Sequence, residues 1–135
     1  MKKFLVFILI LLFNCPAFGA SWKKIELYSS IDLDSIKISG DRYVIYWIKL
    51  VNDGSEKSIN GQKVDFTKYN MISDCKQSKI SMKSAIDFGL NGDAVLHTEM
   101  TPDYDYLSNY YYIPIVPESR IEYWHKFACK YVSNY

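Results

Sequence analysis

Ser119-Arg120-Ile121-Glu122-Tyr123-Trp124-His125-Lys126-Phe127-Ala128-Cys129 is the stretch of this chain that reads as a soluble helix, and its last residue says how that helix is held. Ser119 followed three residues later by Glu122 is a capping box, in which each side chain satisfies a backbone N–H of the first turn. Pro117 stands just upstream, where its missing N–H costs the helix nothing. Ile121, Trp124, Ala128 and Val132 recur at helical spacing, with Glu122, Lys126 and Lys130 on the opposite side. Cys129 flanks the apolar stripe, so it can face a sheet while the lysines stay in water.

The N-terminus reads as an export signal. Lys2-Lys3 is a charged opening, Phe4 to Phe13 an apolar run too short to span a bilayer comfortably, and Ala17-Phe18-Gly19 a small-residue cleavage site. The expected boundaries are a signal peptide over residues 1–19, cut between Gly19 and Ala20, and one domain over 20–135. Lipid attachment at Cys15 would need small residues before it; Leu12 suits a lipobox, but Phe13 and Asn14 are too large. Removal of Lys2 and Lys3 takes the 16 basic residues to 14 against 15 acids, a net charge near −1. Nucleic-acid binders usually carry a net basic surface, so nucleic acid is not the expected partner. A mature chain of about 116 residues supports one core.

Cys15 leaves with the signal, so Cys75 and Cys129 remain. In an oxidising compartment an even pair is most simply a disulfide, and the long loop it closes makes it worth roughly 4 kcal/mol. A redox-active pair is disfavoured by the absence of Cys-x-x-Cys spacing.

The rest of the domain reads as strands. Trp22 to Ser29 opens it, Ser35–Ser39 and Tyr43–Val51 form a hairpin around Gly40-Asp41, and the second arm is apolar on both parities, as a central strand would be. Asp53-Gly54 and Asn60-Gly61 flank a polar loop, and Asn91-Gly92 turns the chain into a strand over Ala94–Met100. Alternation over Thr67–Cys75 puts Tyr69, Met71, Ser73 and Cys75 on one face, opposite Lys68, Asn70, Ile72 and Asp74. Over Lys79–Phe88 the same reading groups Ile80, Met82, Ile86 and Phe88 against Lys79, Ser81, Lys83 and Asp87. Cys75 thus falls on the apolar face that the C-terminal helix must cover.

With these residues placed, the chain resembles the surface-adhesin protein E family of Gram-negative bacteria. The resemblance runs through the signal, Trp22 at the start of the mature chain, Asp34-Ser35-Ile36, Val44-Ile45-Tyr46-Trp47, Asp74-Cys75-Lys76, and Ile115-Val116-Pro117-Glu118-Ser119 leading to Cys129. It implies an α+β fold: a single antiparallel sheet of about six strands with a C-terminal helix packed on one face and tied by the disulfide. The family name implies adhesion to host extracellular-matrix proteins.

Catalytic chemistry is sparse. His97 sits mid-strand and His125 one turn before Cys129, which cannot be a nucleophile if oxidised. Asp32 and Asp34 could share a cation, but solvated strand-end acids explain them as well. No phosphate-binding glycine loop, metal-spaced cysteine set or nucleophile elbow is present, and neither an enzyme nor a cofactor is expected. Two surfaces could recognise a partner. The tyrosine-rich stretch holding Tyr104, Tyr106, Tyr110 and Tyr111 suits either a recognition loop or an edge strand. Lys68, Lys76, Lys79 and Lys83 point away from the helix side, as a recognition face or as a solvated one. The expectation is an exported, non-enzymatic binding protein in the periplasm, at the outer surface or secreted, with no stable membrane span after cleavage. It would act by protein–protein contact, with host matrix components among its partners. The alternative is a periplasmic accessory or small-ligand-binding module.

Overall fold

The computed structural model describes residues 19–52, 55–58, 60–99 and 112–134. The signal stretch over 1–18 with Cys15, the Asp53-Gly54 turn, and Tyr104, Tyr106, Tyr110 and Tyr111 lie outside the described residues.

Among the described residues, seven strands precede the C-terminal helix: β1 (Trp22–Lys24), β2 (Ser29–Ser39), β3 (Tyr43–Val51), β4 (Phe66–Asp74), β5 (Lys79–Phe88), β6 (Ala94–Glu99) and the two-residue β7 (Ile113–Pro114). α1 spans Arg120–Ser133. β1 to β6 lie in chain order as one antiparallel meander, and β7 pairs with the first two residues of β5. The fold is therefore the α+β arrangement expected, one sheet with a helix on one face.

β3 lies in the middle of the sheet because it carries the densest run of β-branched and aromatic residues. Its Val44, Tyr46, Ile48 and Leu50 are buried, while Tyr43, Ile45, Trp47 and Lys49 on the other parity are half-buried. Gly40 makes the β2–β3 turn possible with φ of +65°, a conformation that costs glycine little. The core joins Ile31, Val44, Tyr46, Ile48, Met71 and Ile80 to Trp124 and Ala128 of the helix, with Ile121 and Val132 packed against it. The stripe legible at helical spacing is thus the face that packs. Trp124 stacks obliquely on Tyr69, ring centroids 5.8 Å apart.

Cys75 and Cys129 are disulfide-bonded, Cα atoms 5.7 Å apart, which fastens the last turns of α1 to the β4–β5 turn. At the other end, Ser119 Oγ accepts from the Glu122 N–H at 3.3 Å. Glu122 reaches one residue further back than a capping box requires, accepting the Glu118 N–H at 2.8 Å. Glu118 adopts φ of +58°, which turns its N–H toward that carboxylate.

Two strand readings are corrected. The opening strand is not continuous from Trp22 to Ser29. The Ile25 and Glu26 N–H groups both donate to the Ser29 carbonyl, at 3.0 and 3.3 Å, so the chain reverses there and β1 folds back on β2. The alternation over Lys79–Phe88 is also broken. Asn70 pairs with Ser84 but Met71 pairs with Met82, so Lys83 is the extra residue of a β-bulge. Parity flips across it. Ile80 and Met82 face the helix with Met71, whereas Ile86 and Phe88 share the opposite face with Lys68 and Phe66.

Candidate functional site

Asp74 ends β4 on the face away from the helix and is almost wholly buried. Arg42 donates to its Oδ2 through Nε at 2.7 Å and also through Nη2. The Lys76 and Gln77 N–H groups donate to its Oδ1 at 3.1 and 3.0 Å. Burial alone would push this carboxyl up, but the Arg42 bond and the two N–H groups outweigh it and hold it below the usual carboxylate range. One aspartate thereby caps the turn that carries Cys75. His125 lies beneath the helix with both ring nitrogens 3.8 Å from Cys129 Sγ. Burial pushes its pKa down against the pull of Asp74 and Glu122. The sulfur it touches is in the disulfide, so this Cys–His contact is a packing contact with no thiolate to activate.

The remaining sequence candidates are placed as follows. Asp32 Oδ1 accepts the N–H groups of Ser21 and Asp34, at 3.0 and 3.2 Å, and so acts as a local turn cap. No group of three or more acidic, histidine or cysteine residues able to hold a metal occurs among the described residues. His97 pairs with Glu99 at 3.1 Å on exposed β6. Gly19 and Ala20 are exposed.

The four lysines do not form one patch. Lys76 sits in the β4–β5 turn, ion-paired with Asp41. Lys79 begins β5 opposite Asp74, and Lys83 occupies the bulge. Lys68 lies six strand positions from Asp74, roughly 20 Å at 3.3 Å per residue. What the register assembles instead is a different row. Lys24 pairs with Ser30, Ser30 with Lys49, and Lys49 with Lys68, so three lysines share the face away from the helix across four adjacent strands. Beside them stand the half-buried rings of Trp22, Trp47, Phe66 and Phe88.

Two of the three lysines, Lys49 and Lys68, sit over aromatic rings. Lys49 Nζ lies 4.2 Å from the Phe66 centroid; Lys68 Nζ lies 5.4 Å from Trp22, 5.1 Å from Phe88 and 6.0 Å from Phe66. Phe66 and Phe88 stack at 4.6 Å. Like charges directly opposite on neighbouring strands repel, and the shared aromatic base offsets that cost. No carboxylate pairs with Lys24, Lys49 or Lys68 among the described residues. Trp22, Trp47, Lys68, Ile86 and Phe88 also line a shallow hollow of about 270 Å³. Sequence reasoning missed Lys24 and Lys49 because membership in the row depends on cross-strand register, which one strand's alternation does not contain.

On the helix face, a second cavity of about 310 Å³ opens between β4, β5, β7 and the first turns of α1. No helix among the described residues is long and apolar enough to cross a membrane. No protein-family model matches the sequence, and no curated protein matches it.

Proposed function

We propose that this protein is an exported, non-enzymatic binding domain of the surface-adhesin E type, acting by protein–protein contact through the lysine-bearing part of the sheet face away from its helix. The observation that carries the reading is the row Lys24–Lys49–Lys68, which has no acidic partner within the described residues and lies beside four half-buried aromatic rings. Rings set beside cations suit a partner segment that alternates carboxylates with apolar side chains. The rings supply contact area at low entropic cost, and the lysines supply steering and register. Periplasm, outer surface and medium are all open to an exported domain of this kind; a host matrix protein is the partner class the resemblance suggests.

The test is binding of the mature protein to a panel of immobilised extracellular-matrix proteins, with Lys49→Glu plus Lys68→Glu as the variant. Binding should fall at least tenfold and lose most of its salt dependence, with far-UV circular dichroism unchanged. Unchanged binding would remove this face from the account. Protease shaving of intact cells tests display separately, since confinement to the periplasm is incompatible with direct adhesion.

A further inference from the structure

We propose that the Cys75–Cys129 bond is a directional thiol-exchange site, at which an incoming thiolate captures Cys75 as a mixed disulfide and Cys129 leaves as a thiolate beside His125. The chain is then the target of a dithiol reductant and not an oxidoreductase itself. That agrees with a sequence separation of 54 between the two cysteines and the lack of a Cys-x-x-Cys pair.

The two sulfurs differ in their surroundings. Cys75 is half-buried at the start of the β4–β5 turn, whose Lys76, Gln77 and Ser78 are exposed, so solvent borders it. Cys129 Sγ has the His125 ring packed against it, both nitrogens at 3.8 Å, and its helix neighbour Ala128 is fully buried. Exchange runs fastest by attack on the more accessible sulfur with expulsion of the one that better carries negative charge.

Charge points the same way. Asp74 adjoins Cys75 and is held ionised by Arg42 and the N–H groups of Lys76 and Gln77, so a thiolate at Cys75 would stand next to a carboxylate. A thiolate at Cys129 instead meets an imidazole. The charged groups facing that ring are Asp74 from β4 and Glu122 and Lys126 from its own helix; the carboxylates favour the imidazolium and Lys126 opposes it. Burial keeps the ring neutral while the disulfide is closed, and a negative sulfur at this distance reverses the balance. The negative end of the α1 dipole works against a thiolate at Cys129, and Lys130 in the last turn offsets it.

The electrons balance in two displacements. The attacking thiolate bonds to Cys75 Sγ as the Cys75–Cys129 bond breaks, and the electron pair goes to Cys129 Sγ, with one proton taken up from solvent between that sulfur and His125. The reductant's second thiolate then attacks the reductant sulfur of the mixed disulfide, so the reductant leaves as a disulfide and Cys75 as a thiolate. Ile121, Trp124, Ala128 and Val132 still hold the helix on the sheet, so the bond opens without unfolding.

The experiment treats the mature, disulfide-bonded protein with excess reduced glutathione near neutral pH, without denaturant, and stops the reaction with N-ethylmaleimide, which caps the freed sulfur. Peptide mapping by mass spectrometry reports which cysteine carries glutathione. Cys75 should carry it about fivefold or more over Cys129, while circular dichroism keeps the native helical signal. His125→Gln should open about threefold or more slowly and bring the two products within about twofold of each other. Loss of packing alone acts the other way, since a loosened helix exposes the bond and speeds its opening. The proposal is overturned if wild type forms no mixed disulfide until it is unfolded, if glutathione sits equally on both cysteines or mainly on Cys129, or if His125→Gln opens as fast as wild type or keeps its product ratio. Lys49→Glu plus Lys68→Glu should give the wild-type ratio, so this outcome is independent of partner binding on the lysine row.

Discussion

Replacing Cys75 and Cys129 together by alanine tests how the helix is held. The bond joins residues 54 apart, and the loop it closes contains β5, β6, β7 and the first ten residues of α1. In the chain-entropy model, freeing a loop of that length adds about 14 cal/mol/K to the unfolded state, or about 4 kcal/mol at 25 °C. At about 2.1 cal/mol/K per residue, a domain of this size unfolds with roughly 0.24 kcal/mol/K, so Tm should drop by about 17 °C. Urea titrations of oxidised wild type and the double variant, followed by circular dichroism and tryptophan fluorescence, measure it. The variant should keep the same helical signal in the absence of urea, because Trp124 and Ala128 still pack on Tyr69, Tyr46 and Met71. Its slope should rise slightly, because the uncrosslinked unfolded chain exposes more surface. A stability loss below about 1 kcal/mol would refute the restraint argument. Helix melting at zero urea would refute it differently, by showing that the bond selects the native packing rather than restricting the unfolded chain.

Three further outcomes are expected. The folded pKa of His125 lies below its unfolded value near 6.5, so the unfolded chain binds the extra proton and stability is lost as pH falls through that value; Asp74, also depressed, adds a second loss below its ordinary value of 3.8. Urea midpoints at pH 7.5, 5.5 and 3 should decline in two steps, and His125→Gln should remove the first step alone. Tyr46 is fully buried with its hydroxyl 2.9 Å from Ser73 Oγ, so Tyr46→Phe strands a buried serine and should cost about 1–2 kcal/mol by urea unfolding, with Tyr46→Phe plus Ser73→Ala recovering part of it. Ser78 is held at φ of +51° in the β4–β5 turn, and Ser78→Gly should raise stability by about 0.5–1 kcal/mol in the same assay; a loss would show that the serine side chain is worth more than the backbone strain.

Elements that declare themselves through one segment's own chemistry were legible. Ser119 and Glu122 marked the helix start, Gly40-Asp41 the hairpin, and the parity of Met71, Ser73 and Cys75 the face that meets Cys129. The features that misled are relational. Nothing in Lys79–Phe88 by itself announces a bulge, because the extra residue exists only relative to Asn70 and Met71 on the neighbouring strand. The three-residue gain in β2 between Asp32 and Lys37 is of the same kind; Ser35 Oγ fills the gap by accepting the Trp47 N–H at 3.0 Å. The candidate site inherits this limit. Lys68 could be placed on the face away from the helix from alternation, but its companions Lys24 and Lys49 come from strands whose register had to be seen.

The bulge at Lys83 divides β5 into two segments that answer to different neighbours. Residues 79–82 send Ile80 and Met82 toward the helix and its cavity, while residues 84–88 send Ile86 and Phe88 to the lysine-bearing face. An unbroken strand would put Ile80, Met82, Ile86 and Phe88 on one face, so a change at any of them would be felt under the helix. Here a substitution at Phe88 can reshape the outer surface without a counterpart under the helix, and one at Met82 can resize the cavity without touching the aromatic base. One inserted residue gives the two surfaces mutational independence, so each can diversify on its own while the other stays as it is.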